Sequence, residues 1–352
     1  VINFPNFLLH VLMIQIGQKD VEFVKANIAL DDKRLLDFFK PLLENKAEKF
    51  EFVKQFGFNL LKCRFLFDRY IIKREMVGSK SDWSLKHLKY YSQIKNVNYL
   101  NSFGSSNINE GENKSLIMLL AMFHVSIPTQ NYKYWLNAAL KYLFQTYDNE
   151  GFLEIKADAY KNYLEDLANA FLRDRFLAVD GKRFDYLEII YTNKEKSKNI
   201  LITDIDLSLM DKGTGVENFI FNYLDYLLWS KDVQKYDKFR FTFRSSVEHY
   251  YPQNPKEGDN LGIDSECVDN FGNLCLISSS KNSMYSNNMP YVKLSSYSSP
   301  DSIDSIKQKI MMDITQGNQK NERAAKNLWG KAEIETHATE MKKILLPDLY
   351  VE

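Results

Sequence analysis

At 352 residues the chain is long enough to bury a sizeable core, and the length favours two domains. Acidic and basic residues balance at 46 each, so no global charge field marks a nucleic-acid partner, and any such contact has to come from local patches. Three widely spaced cysteines (Cys63, Cys267, Cys275) form no C-x-x-C pair, which argues against a zinc site or disulfide framework and for free thiols in a reducing cytoplasm. Aromatic residues are many and Gly and Pro few, which suits a mainly α protein. No apolar run reaches the roughly 18 residues of a membrane span, and the amino terminus carries no signal-peptide pattern, so a soluble cytoplasmic protein without membrane contact is expected. The apolar pattern is already under way at Phe4, Phe7 and Leu8, which reads as a piece of something longer.

In chain order, residues 5–16 have helical apolar spacing. Asp31 or Asp32 caps a second helix through Leu43, and a longer one runs from Ala47 to Arg74 on the stripe Phe52, Phe56, Leu60, Cys63, Phe67 and Tyr70. Residues Gly78–Asp82 end it. An amphipathic piece follows (Trp83, Leu85, Leu88, Tyr91), then a polar loop over Asn101–Asn113. Helices are expected at 114–126, 131–147 and 156–178. Asp185–Tyr191 reads as a short strand and Asn193–Asn199 as a charged loop, and helical spacing returns over Val216–Trp229.

From Lys235 the period changes from helical to alternating. This places the domain boundary near 213, with a helical domain over 1–213 and a second domain over 214–352. Phe239-Arg240-Phe241-Thr242-Phe243-Arg244 alternates strictly, so a strand would put Arg240 and Arg244 on the face opposite the phenylalanines. The Ser-rich run 278–306 is expected to be a short helix plus an ordered loop, and helices at 301–314 and 320–346 close the chain.

One stretch, 239–297, concentrates the chemistry. Hydrolysis of a phosphodiester needs a base to activate water, a divalent cation to stabilise developing charge, and a group that aims the base. His249 can be the base; Glu248 and Asn282 offer hard oxygen ligands suited to Mg²⁺ or Mn²⁺; Asn273 can hold the imidazole through its amide. Arg240, Arg244, Lys256, Lys281 and Lys293 supply a local phosphate footprint. Each residue also has an ordinary reading. A histidine in such a region can be structural, Asn273 a turn residue after Gly272, Asn282 a helix cap, and the arginines the wet face of an edge strand.

The order Val-Glu-His-Tyr-Tyr-Pro-Gln (247–253), Phe-Gly-Asn-Leu-Cys-Leu-Ile (271–277), Lys281-Asn282 and Tyr291-Val292-Lys293 resembles the C-terminal nuclease of the GmrSD-type restriction proteins, relatives of the HNH or ββα-metal endonucleases. The nine-residue interval from Asn273 to Asn282 matches HNH spacing, and Trp329-Gly330-Lys331-Ala332-Glu333-Ile334 resembles that family's tryptophan-led last helix. The run from Asn59 to Tyr70 resembles the helical middle of members that carry both halves on one chain.

The resemblance implies an α+β HNH-like domain with Glu248 and Asn282 as metal ligands, His249 as general base and Asn273 as the residue orienting it. It implies an Mg²⁺- or Mn²⁺-dependent DNA endonuclease of a phage-defence system, acting on DNA that can be modified. Tyr250-Tyr251 stands where an aliphatic pair is usual, and the family's Asp-Gly-Gln-Gln-Arg signature is absent. A ParB-like nucleotide-using domain or subunit is therefore expected outside this chain. A helical regulatory module whose HNH-like domain binds nucleic acid without cutting it, and an RNA nuclease, are the competing readings.

Overall fold

The computed structural model describes residues 1–352 apart from 45–47, 79, 94, 105–110, 150–154, 192–203, 257, 296–302 and 351–352. Helix dominates, and among the described residues strands pair only two at a time. Two compact units result: Val1–Arg175 with Phe184–Asn199, and Phe176–Arg183 with Ile200–Glu352. None of the described helices is long and apolar enough to cross a membrane. All three cysteines are buried and free.

The first unit opens with α1 (Phe4–Gly17), whose first turn is capped by the Asn3 side chain accepting from Asn6 N at 2.9 Å. Helices α2 (Val21–Asn27), α3 (Leu35–Glu44) and α4 (Lys49–Tyr70) follow. Leu9, Leu12 and Met13 of α1 pack with Val24, Leu30 and Phe38 in one core. Helix α4 stops at Tyr70, short of the expected end. The stretch beyond it folds as two antiparallel hairpins, β1 (Lys73–Val77) with β2 (Lys80–Ser84) and β3 (Lys86–Tyr91) with β4 (Asn96–Asn101).

The pairs Leu88↔Tyr99 and Tyr90↔Val97 explain the second hairpin: apolar residues alternate at period two on both strands and share one exposed face. Gly78, at φ 63°, supplies the left-handed turn of the first. Helices α5 (Gly111–Ser126), α6 (Tyr134–Asn149) and α7 (Ala157–Ala170) come next, and α7 runs into a π-helical turn, Phe171–Phe176. The expected strand at Asp185–Tyr191 is instead helix α8 (Tyr186–Tyr191). Asp185 and Glu188 form a reciprocal cap, each side chain accepting from the other's backbone N–H at 2.7 and 2.9 Å, and that starts a helix. The charged loop at 193–199 lies outside the described residues.

The second unit includes the short segment before α8. Leu177 O accepts from Asp206 N at 2.7 Å and Asp204 O from Val179 N at 3.0 Å. Its elements are α9 (Asn218–Lys231), β5 (Ser246–His249), the one-turn α10 (Ser265–Val268), β6 (Leu274–Ile277), α11 (Ser279–Tyr285), α12 (Pro290–Ser295), α13 (Ile306–Lys320) and α14 (Lys331–Leu345). Tyr250, Tyr251, Cys275, Tyr285, Met311 and Trp329 form its core. The alternating run 239–244 is not a strand. Phe239 and Phe241 are buried edge to face, but then the pattern inverts: Phe243 is exposed and Arg244 buried. Arg244 turns inward because Asp225 and Asn222 of α9 receive its guanidinium, so the run is anchored by charge and not by strand pairing. The Ser-rich segment holds the short helices α11 and α12, and 296–302 lies outside the described residues.

Candidate functional site

Strands β5 and β6 pair antiparallel with Glu248 opposite Cys275 and His249 opposite Leu274. The backbone bond from Tyr250 N to Asn273 O, 2.8 Å, extends the ladder one step. Beyond that point the chain leaves the sheet, and Tyr250 and Tyr251 enter the core. Their burial fixes where β5 ends, which places Glu248 and His249 at its rim. Helix α11 starts two residues after β6 and carries Asn282. Glu248, His249 and Asn282 line one cavity of about 240 Å³, together with Thr214, Gln253 and Asn254. Ser286, on the same wall, holds a left-handed φ of 45°, uncommon for a residue with a side chain.

The His249 ring is nearly buried, and its Nε2 lies 2.7 Å from Asp269 Oδ1. Burial lowers its pKa; the Asp269 carboxylate opposes that shift, while the Lys293 ammonium adds to it. Glu248 is half a buried ion pair, with Oε1 2.6 Å from Lys293 Nζ. Burial pushes the Glu248 carboxyl up and Lys293 opposes the push. The same ammonium donates to His249 O at 2.7 Å and Tyr250 O at 2.9 Å. Lys293 therefore locks the exit of β5 to α12. With no exposed side-chain surface, it is not a phosphate contact.

Asn273 departs most from its sequence role. Its Oδ1 accepts from Tyr251 N at 2.7 Å and Trp329 Nε1 at 3.2 Å, and its Nδ2 donates to Tyr251 O and Val268 O, both at 2.9 Å. Four bonds exhaust a primary amide, and none goes to the imidazole. Asn273 clamps the turn after His249 and ties it to the tryptophan before α14; the ring is met by Asp269 instead.

Arg244 is likewise structural. It pairs with Asp225 at 3.0 Å and Asn222 at 2.6 Å, and reaches the carbonyl of Asp304, with no exposed side chain. Of the other expected phosphate contacts, Lys281 is largely covered and paired with Asp304 at 3.1 Å. Arg240 is half-buried and donates to Asp237 O and Phe239 O. Lys256 is exposed and donates to Asn288 at 3.2 Å. Little in the residue pattern points to Asp269: it stands in Val-Asp-Asn-Phe-Gly-Asn, beside the Asn270 turn, twenty residues from His249. A carboxylate just ahead of the Gly-Asn turn was the one available signal.

The polar side chains lining the cavity are one carboxylate, one imidazole, the hydroxyls of Thr214 and Ser286, and side-chain amides. No three His, Cys, Asp or Glu side chains converge among the described residues. Lys293 Nζ lies 2.6 Å from Glu248 Oε1, although that buried oxygen has no well-aligned hydrogen bond among the described residues. Such a set fits Mg²⁺ or Mn²⁺, which are commonly held by one or two protein oxygens with water and substrate phosphate.

An antiparallel strand pair followed by a short helix thus brings a carboxylate and an imidazole to one cavity. The family model for the GmrSD restriction endonucleases, C-terminal domain, matches residues 165–344, and the chain belongs to that family. It is therefore of the restriction-endonuclease type. No curated protein and no solved structure matches it.

Proposed function

We propose that the chain is an HNH-like, divalent-metal-dependent DNA endonuclease in which His249 is the general base and Glu248 and Asn282 hold the cation. The convergence of these three side chains on one cavity carries the reading. When bound, Mg²⁺ or Mn²⁺ would supply Lewis-acid stabilisation of charge on the scissile phosphate. The residues of the chain do the rest. His249, kept neutral by burial, takes the proton of the attacking water. Lys293 fixes the carbonyls at the end of β5 and so sets the height of the ring above the cavity. Lys256, exposed beside the cavity's loop, is the cation best placed to steer a phosphate backbone, with Arg240 and Lys281 lesser contributors.

In this reading the helical region up to about residue 213 is scaffold and coupling element and the region after it is the nuclease. The substrate is DNA, including modified phage DNA, and a ParB-like nucleotide-using domain or subunit completes the system. One observation favours a non-cutting nucleic-acid module instead: an ammonium already sits on Glu248. Incubating the full chain with plasmid and Mn²⁺, with and without EDTA, separates the two. Nicked or linear product that EDTA abolishes is expected. Intact plasmid alongside a mobility shift on DNA would establish the non-cutting module.

A further inference from the structure

Asp269 stands outside the residues assigned above, yet it is the side chain that touches the His249 ring. Its Oδ1 receives two groups, His249 Nε2 at 2.7 Å and Gln253 Nε2 at 3.1 Å. Gln253 can only donate through that nitrogen, and a carboxylate only accepts. The imidazole proton must then sit on Nε2, which leaves the lone pair on Nδ1. Asp269 is itself held. Its backbone N–H donates to Ser265 O at 2.9 Å, and its carbonyl accepts from Gly213 N at 3.2 Å. Gly213 has φ +54° and lies so close that a Cβ there would come within 2.5 Å of Asp269 Oδ1. The loop over residues 211–215 is thus moulded around this carboxylate. Asp211 adds a second tie by accepting from Phe271 N at 2.8 Å.

We propose that Asp269 is the positioning residue for His249: it fixes the ring orientation and tautomer that present Nδ1 to the attacking water. This rests on the nuclease reading, because the water belongs to it, but the ring geometry is testable without cleavage. The full chain is compared with Asp269→Ala and Asp269→Asn by plasmid cleavage at saturating Mn²⁺. The Mn²⁺ half-saturation and melting temperature are measured on the same preparations. The ¹⁵N spectrum of the labelled histidines, with His249 assigned through His249→Gln, reports the tautomer.

Asp269→Ala is expected to lower kcat at least tenfold while KM and Mn²⁺ half-saturation stay within about twofold, as befits a change confined to orientation. The single Nε2–H pattern of His249 gives way to mixed tautomers. Asp269→Asn keeps an oxygen in place and recovers part of both. Parent kcat and an unchanged ring pattern in Asp269→Ala would overturn the proposal. So would a rate loss accompanied only by lower melting, with the ring pattern intact. A parent chain that cuts nothing would sink the nuclease reading instead, and the ring spectrum alone would then decide whether Asp269 sets the imidazole.

Discussion

If Glu248 holds the proposed cation, its buried pairing with Lys293 is the contact that tunes metal binding. Removing one member of a buried ion pair typically costs about 3–5 kcal/mol, because the other charge is left uncompensated. Lys293→Met also frees two carbonyls, His249 O and Tyr250 O, so thermal melting should fall clearly. If Glu248 is a metal ligand, Mn²⁺ should recover more of the melting temperature in Lys293→Met than it adds to the parent, since the cation replaces the lost ammonium. An equal Mn²⁺ shift in both proteins would move the metal elsewhere. Glu248→Ala and Asn282→Ala are expected to raise the half-saturating Mn²⁺ for cleavage, and an unchanged value in both would contradict their assignment as ligands.

At the scale of elements, the join between the β5–β6 pair and α14 depends on two neighbours. Gly272 packs against α14 so closely that a Cβ would lie 1.9 Å from Ile334 O, a backbone atom that cannot step aside. Gly272→Ala should therefore force the helix off the strand pair and lower stability strongly, which urea unfolding would register as an earlier midpoint. Asn273→Ala strands four buried partners. At ~1–3 kcal/mol for an unsatisfied buried group, a loss of several kcal/mol is expected, while the His249 ¹⁵N pattern stays as in the parent. A changed ring pattern at unchanged stability would restore Asn273 as the orienting residue.

These two positions mark how far the sequence could be read. It grouped Glu248, His249 and Asn282, and the three do line one cavity, because adjacency and the strand–helix order bring them to one rim. It misassigned the aim of Asn273, because a residue type does not say which of several partners in space an amide will choose. Asp269 reaches the ring through a loop whose path depends on Gly213 and Asp211, information spread over some sixty residues. The alternation at 239–244 misled for a related reason: Asp225, distant in sequence, draws Arg244 inward. The hairpins at 73–101 were missed because their short strands follow a long helix and share its apolar residue types.

For the whole molecule, acid stability follows from histidines buried without charge. His10 is wholly buried, and neither ring nitrogen has a hydrogen-bond partner among the described residues. Burial, reinforced by Lys133, pushes its pKa down to about 3. Because the unfolded ring protonates near its ordinary value of 6.5, the unfolded state binds more protons below that pH. Stability is thus complete above about 6.5 and is lost as pH falls toward 3. His124, pushed down to about 3, and His337, held well below its usual value, act in the same direction. Between pH 6.5 and 5 one such histidine contributes a loss of roughly 2 kcal/mol. His10→Leu should flatten the pH slope of unfolding free energy by about that amount, and an unchanged slope would show that the ring is protonated in the fold.

Fragments test the division of labour between the two units. A chain from 176 keeps the Leu177–Asp206 and Gly213–Asp269 contacts, whereas one from 214 loses both and the Lys342–Asp211 ion pair as well. The longer fragment is expected to fold and cut; the shorter should melt lower. A folded fragment from 176 that is inert beside an active full chain would give the helical region a part in the chemistry.

Hydrolysis with His249 as base is read out by single-turnover cleavage of plasmid in Mn²⁺ by the parent and His249→Ala at matched folded concentrations. A rate lower by ~10²–10⁴-fold is expected in the variant, the usual worth of a general base, with circular dichroism and melting close to the parent. Equal rates in the two proteins would contradict His249 as the base.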